Sequence, residues 1–179
     1  MKVTETRLPG VLIFEPKVHG DARGFFVETF RREACRAAGI ELDFVQDNHS
    51  RSRRGVLRGL HAQAVHPQGK LVRCSRGEVF DVAVDIDPAS ATFGQWVGVR
   101  LSDENHRQMW VPPGYAHGFL VLSEIADFEY KCTDYYAPEH EFGVRWDDPD
   151  VGIEWPLAEP LLSAKDATLP RLRDLVATR

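Results

Sequence analysis

Between residues 44 and 133 the chain never stays apolar for long before glycine, proline or polar residues interrupt it. The clearest run, Glu78–Ile86, alternates strictly. Phe80, Val82, Val84 and Ile86 fall on one face, and Asp81, Ala83 and Asp85 on the other. Period two marks a strand, because successive side chains of extended backbone point to opposite faces. Shorter runs of similar character lie at Val11–Phe14, Phe25–Thr29, Phe44–His49, Gly55–His61, Lys70–Ser75, Trp96–Leu101, Gln108–Val111, His117–Leu122 and Phe128–Thr133. Gly20–Gly24, Arg76-Gly77 and Pro112-Pro113-Gly114 supply turn chemistry between them. Helices are few: Phe30 to Ala38, stopped by Gly39, and a closing one from about Leu169 to Val176. Short strands at close spacing predict a mainly β protein, an antiparallel sandwich or jelly-roll barrel with a few short peripheral helices. Such a barrel lets distant segments share one interior.

The 179 residues suit a single domain spanning 1–179, with no repeat, linker or low-complexity tract. A net charge of −5 argues against nucleic acid as a partner. A small anion is still compatible, because Arg51, Arg53, Arg54, Arg58, Lys70 and Arg73 cluster locally, the first three reading as a solvated loop. Three separated cysteines, Cys35, Cys74 and Cys132, form no CxxC pair and read as reduced thiols of a cytoplasmic protein. No run of roughly 18 apolar residues suggests a membrane span.

The chemistry concentrates in Gly55–Arg73, where His61 stands between the cations Arg58 and Lys70. A neutral imidazole can remove a weakly acidic proton while nearby cations hold the negative charge that forms. A lone strand histidine is as readily a structural residue, so this stretch alone leaves both readings open. The segments GLHAQ and PPGYAH resemble the two histidine motifs of cupin jelly rolls. Gln63 stands where a second metal-binding His would be, no Glu lies between His61 and Lys70, and only His117 remains of the other ligands. Two histidines beside a lysine make a poor divalent-cation site, so a metal-free, cupin-like barrel is expected.

The motifs DARGFFVETF (Asp21–Phe30), FVQDNHSRS (Phe44–Ser52), GVLRGLH (Gly55–His61), QGKLVRC (Gln68–Cys74) and GEVFDVAVDI (Gly77–Ile86) are followed by FGQWVGVRLS (Phe93–Ser102), PPGYAHGFLVLSE (Pro112–Glu124), YKCTDYYAPEHE (Tyr130–Glu141), GIEWP (Gly152–Pro156) and LSAKD (Leu162–Asp166). In this order and spacing they closely resemble the dTDP-4-dehydrorhamnose 3,5-epimerases. One departure is Ala62, where the family usually has Phe or Tyr, which is expected to loosen packing beside the base.

The resemblance implies epimerisation of dTDP-4-dehydro-6-deoxy-D-glucose at C3 and C5 to dTDP-4-dehydro-L-rhamnose, without a cofactor. The C4 ketone acidifies both positions, so the site needs a base on one face, an acid on the other, and a donor at O4. The resemblance assigns His61 as the base, Asp166 as the carboxylate orienting it, Tyr130 as the acid, at least at C5, and Lys70 as the partner of O4. It assigns Arg23, Arg58 and Lys165 to the diphosphate and nearby sugar oxygens. Glu28, Gln46, Asp47, Asn48, His117 and Glu141 become polar contacts, and Tyr136 the ring that stacks on thymine. It also implies a homodimer in which Arg23 and Glu28 complete the partner's site. Alternatives are an epimerase acting at one centre only, which Tyr130 disfavours, a metal-dependent oxygenase, and a non-catalytic nucleotide-sugar binder. Strict alternation would put Arg58 and His61 on opposite faces, so a pocket holding both requires an irregularity at Gly59.

Overall fold

The computed structural model describes residues 1–176; residues 177–179, the end of the expected domain, lie outside the described residues. The strands in chain order are β1 (Lys2–Glu5), β2 (Leu12–Glu15), β3 (Val18–Asp21), β4 (Gly24–Val27), β5 (Gln46–Arg53), β6 (Leu57–Gln63) and β7 (Lys70–Arg76). They continue with β8 (Glu78–Asp85), β9 (Trp96–Ser102), β10 (Gln108–Val111), β11 (Tyr115–Val121), β12 (Ile125–Cys132) and β13 (Glu141–Gly143). Helix α1 (Arg32–Ala37) precedes β5, and α2 (Leu172–Val176) follows β13.

All pairings between these strands are antiparallel. One sheet runs β1-β2-β10-β7-β12-β5 and the other β13-β6-β11-β8-β9, while β3 and β4 form a separate hairpin. The mainly β, jelly-roll expectation holds. Strands β1, β3 and β13 escape the sequence pattern because β1 and β3 are exposed throughout and β13 is three residues long.

The buried residues form three groups. Between the sheets lie Val72, Cys74, Val79, Ala83, Met109, Val111, Phe119, Val121 and Phe128. Outside the five-stranded sheet, Leu60, Val82, Val84 and Ile86 pack against Val144, Val151 and Leu172 of the C-terminal segment. Outside the six-stranded sheet, Leu12, Phe14, Leu71 and Trp110 are covered by Cys35 of α1 and Ile40. Each fully buried aliphatic or aromatic side chain contributes roughly 1.5–3 kcal/mol.

Both faces of β8 are therefore buried. Its continuously apolar face, Phe80 to Ile86, packs outward under the C-terminal segment, while Val79 and Ala83 face the barrel interior. Asp81 alternates with them and is fully buried. An acidic residue thus enters the interior on the face that looked polar in the sequence.

The C-terminal segment also reaches the barrel through its backbone. Leu161 N–H donates to the Gly55 carbonyl at 2.7 Å, and Leu57 N–H to the Leu161 carbonyl at 3.0 Å. This short parallel bridge, Val56 with Leu161, draws residues 161–166 alongside the start of β6.

Candidate active site

A cavity of about 650 Å³ opens between the two sheets, within the roughly 300–1,000 Å³ usual for small-molecule sites. His61 on β6, Lys70 on β7, His117 on β11 and Tyr130 on β12 line it, and the C-terminal segment adds Lys165 and Asp166.

His61 and Arg58 share this cavity, and the backbone of β6 explains how. His61 pairs with His117 and Arg58 with Phe119, so three steps along β6 are set against two along β11. The extra residue falls at Gly59-Leu60, and Gly59 has φ +126°. A Cβ there would sit 2.5 Å from Gly118 Cα and 2.8 Å from the His117 carbonyl oxygen, which leaves room for glycine alone. The irregularity expected at Gly59 is present. It turns Arg58 towards the cavity mouth, where its Nε donates to Ser52 Oγ at 3.1 Å.

Nε2 of His61 lies 2.6 Å from Oδ1 of Asp166. Burial pushes the Asp166 carboxyl upward, but the hydrogen bond and charge of His61 outweigh it and leave the pKa below the usual carboxylate range. An ionised Asp166 accepts, so Nε2 carries the proton and Nδ1 keeps its lone pair. Ser163 Oγ caps the Asp166 N–H at 3.0 Å, fixing the 3-10 turn Asp166–Thr168. On the other side of the ring, Glu141 Oε1 lies 3.8 Å from Nδ1.

Lys70 stands on the wall with its pKa lowered by burial, an effect that Cys132, Glu141 and Asp81 oppose through their charge. Burial raises the pKa of Tyr130, which keeps its hydroxyl protonated, and no group among the described residues hydrogen-bonds that hydroxyl. His117 Nε2 lies 2.9 Å from Asp81 Oδ1, both side chains buried. Burial raises the pKa of Asp81 despite the His117 charge. At the mouth, Glu141 Oε2 accepts from the Tyr136 hydroxyl at 2.8 Å and from Lys165 Nζ. Gln46 Oε1 holds the Tyr136 N–H at 2.9 Å, and Gln46 Nε2 donates to Asn48 Oδ1 at 3.1 Å.

The cavity therefore gathers His61, Lys70, Tyr130, Asp166, Arg58, Gln46, Asn48, His117, Tyr136, Glu141 and Lys165 of the expected residues. It does not gather Asp47, Arg23 or Glu28. Alternation along β5 turns Asp47 to the outer face of the sheet, where Lys131 Nζ meets it at 2.9 Å. Arg23, at the β3–β4 turn, pairs with Asp21, and Glu28 with Arg31, all four exposed or partly so. Ala62 also differs from expectation: it lies in the outer cluster opposite Phe142 rather than beside the imidazole.

Asp81 and Ser163 also shape the site, though neither stands among the expected site residues. A charge in the middle of an apolar strand and a Ser three residues before an Asp were the available signals. Gln63 is a fastener: its amide donates to the His66 and Tyr135 carbonyls, and its oxygen accepts from the Ala137 N–H. Among the described residues no group of three or more His, Cys, Asp or Glu side chains is arranged to hold a metal ion. No helix among them is long and apolar enough to cross a membrane.

Residues 5–174 match the family model described as dTDP-4-dehydrorhamnose 3,5-epimerase. A dTDP-4-dehydrorhamnose 3,5-epimerase of Pseudomonas aeruginosa is 61% identical, over 93% of each chain. One from Salmonella typhimurium is 56% identical over 99% of each. The crystal structure of a dTDP-6-deoxy-D-glucose-3,5-epimerase from Legionella pneumophila, in complex with dTDP-4-keto-L-rhamnose, superposes with a TM-score of 0.96 at 55% identity. That match covers 99% of this chain and 95% of the other.

Proposed function

The chain belongs to the dTDP-4-dehydrorhamnose 3,5-epimerase family, and from that premise we propose how its residues carry out the reaction. It is an isomerase with dTDP-4-dehydrorhamnose 3,5-epimerase activity. The observation that carries the proposal is the His61–Asp166 contact of 2.6 Å on the wall of a cavity shared with Lys70 and Tyr130.

Nδ1 of His61 takes the proton from C3 or C5 of dTDP-4-dehydro-6-deoxy-D-glucose. The electron pair of the broken C–H bond moves through the adjacent carbon to O4, making an enolate. Lys70 donates to that oxygen as its charge grows. Asp166 steadies the imidazolium and holds the ring in the tautomer that leaves Nδ1 free. Tyr130 returns a proton to the opposite face at C5, and the centre inverts. Solvent then reprotonates the phenolate and takes the proton from His61, so nothing is consumed. No redox step is involved, and no cofactor is needed.

Arg58 and Lys165 suit the diphosphate and sugar oxygens, and Tyr136, half exposed at the mouth, suits thymine stacking. Gln46, Asn48, His117 and Glu141 supply polar contacts. The exposed Phe25 and Phe26 of the β3–β4 hairpin support a homodimer in which the hairpin brings Arg23 and Glu28 to the partner's site. Work on a nucleotide sugar supports a cytoplasmic location.

The test is incubation with the 4-keto nucleotide sugar in deuterated water, followed by NMR. Deuterium enters C3 and C5 with the wild type and neither centre with His61→Ala. Exchange at a single centre points to a single-centre epimerase instead, and exchange that survives His61→Ala rejects the assigned base.

A further inference from the structure

Glu141 stands in an arrangement that the reaction above does not use. Its Oε2 carries two donors, the Tyr136 hydroxyl and Lys165 Nζ, while its Oε1 has no donor among the described residues and faces His61 Nδ1 at 3.8 Å. The carboxylate is largely buried, with a side-chain exposure of 10%. Burial raises its pKa, and the Lys165 and Tyr136 hydrogen bonds more than offset this, so it is ionised. Tyr136 and Lys165 are the very groups assigned above to the nucleotide.

We propose that Glu141 couples nucleotide capture to the strength of the base. Lys165 and Tyr136 hold its charge, and a dTDP-sugar that draws both donors away leaves Glu141 facing His61, where it stabilises the imidazolium. The inference rests on the binding roles given above. Its physical logic is competition for donors. A carboxylate that shares two hydrogen bonds, one of them to a cation, has little charge to spare for a third group. Stripped of both in a partly buried place, it interacts with the nearest group able to become cationic, and low local polarity strengthens that interaction. The second carboxylate therefore becomes available to His61 only when substrate has arrived.

The other groups facing His61 are common to both states. From the C-terminal segment Asp166 sits on Nε2. From β11, His117 lies opposite in register, held by Asp81. Lys70 of β7, Tyr130 of β12 and Arg58 of its own strand line the same cavity. None of these loses a protein partner if Lys165 and Tyr136 turn to the nucleotide.

The experiment follows the 179-residue chain with 15N-labelled histidine by NMR, the His61 signal being assigned by its loss in His61→Asn. The His61 titration midpoint is measured with and without saturating dTDP, and dTDP binding is measured separately by calorimetry. With dTDP the wild-type midpoint rises by about one pH unit, the lower end of the range for an opposite charge within ~4–6 Å. In Glu141→Gln, titrated at a dTDP concentration that calorimetry shows to saturate the variant, the rise is lost. In the double variant Lys165→Met, Tyr136→Phe the midpoint is already raised without dTDP. A rise in Glu141→Gln equal to that of the wild type would come from the nucleotide's own charge, and would overturn the coupling. If dTDP does not bind the wild type, or if His61→Asn still epimerises, the functional reading itself fails, a result distinct from failure of the coupling.

Discussion

His61 Nε2 and Asp166 Oδ1 lie 2.6 Å apart although 105 residues separate them. The pair forms because the Val56–Leu161 bridge lays the C-terminal segment along β6 and Ser163 fixes the turn that presents the carboxylate. Two independent backbone anchors thus set the position of one side chain.

Asp166→Asn keeps the size of the side chain and removes its charge. An amide can offer its N–H to Nε2, which favours the tautomer that protonates Nδ1 and blocks the base. We expect kcat to fall by about 10²–10⁴, the usual contribution of general base catalysis, with KM changed far less. Steady-state kinetics with the 4-keto nucleotide sugar measures both, and an unchanged kcat would remove Asp166 from the mechanism.

The same carboxylate makes stability depend on pH. Its folded pKa lies below the unfolded value of about 3.9, so the folded state binds its proton less readily than the unfolded one. The stability it contributes is fully present above that unfolded value and is lost as pH falls through the lower folded one. Urea midpoints compared at pH 6 and in steps below pH 4, for wild type and Asp166→Asn, will show a shallower acid loss in the variant.

Gly59→Ala places a methyl 2.5 Å from Gly118 Cα, against backbone that has no flexible end to move aside. It also forces a side chain into φ +126°. Strain at such positions costs of order 1–3 kcal/mol, and the steric overlap adds to it. Thermal unfolding will show a lower Tm. Activity should fall further than stability alone explains, since Arg58 and His61 then cannot both face the cavity.

Tyr130→Phe preserves the ring beside Phe128 and removes only the hydroxyl. Deuterium exchange at C3 should persist in this variant while inversion at C5 is slowed by about 10²-fold or more, within the usual range for a general acid. NMR of the product mixture reads the two centres separately. Equal slowing at both would assign Tyr130 to binding rather than proton delivery.

Strand content and turns were legible because alternation and Gly-Pro punctuation are local, and His61 stood out between two cations, while Tyr130 and Asp166 were reached only through the resemblance. The fate of each face was less legible. The apolar side of β8 packs outward beneath the C-terminal segment, since a chain that covers a sheet from outside gives both faces a reason to be apolar. Asp47 and Asn48 are neighbours in one motif, yet a single step of alternation sends Asp47 to Lys131 outside and Asn48 to the cavity.

By itself, then, the sequence determined the barrel class and the demand for an irregularity at Gly59, because both follow from spacing and side-chain type, while the roles of Lys70, Tyr130 and Asp166 came from the resemblance alone. Only the tertiary structure decided which nitrogen of His61 is free, that Asp81 lies buried beside His117, and that Glu141 accepts from Lys165 and Tyr136 while its other oxygen faces His61. Those outcomes depend on hydrogen bonds between segments far apart in the chain. The direction of a ring or carboxylate is fixed by which partners the fold brings within about 3 Å, and spacing along one strand carries no record of that.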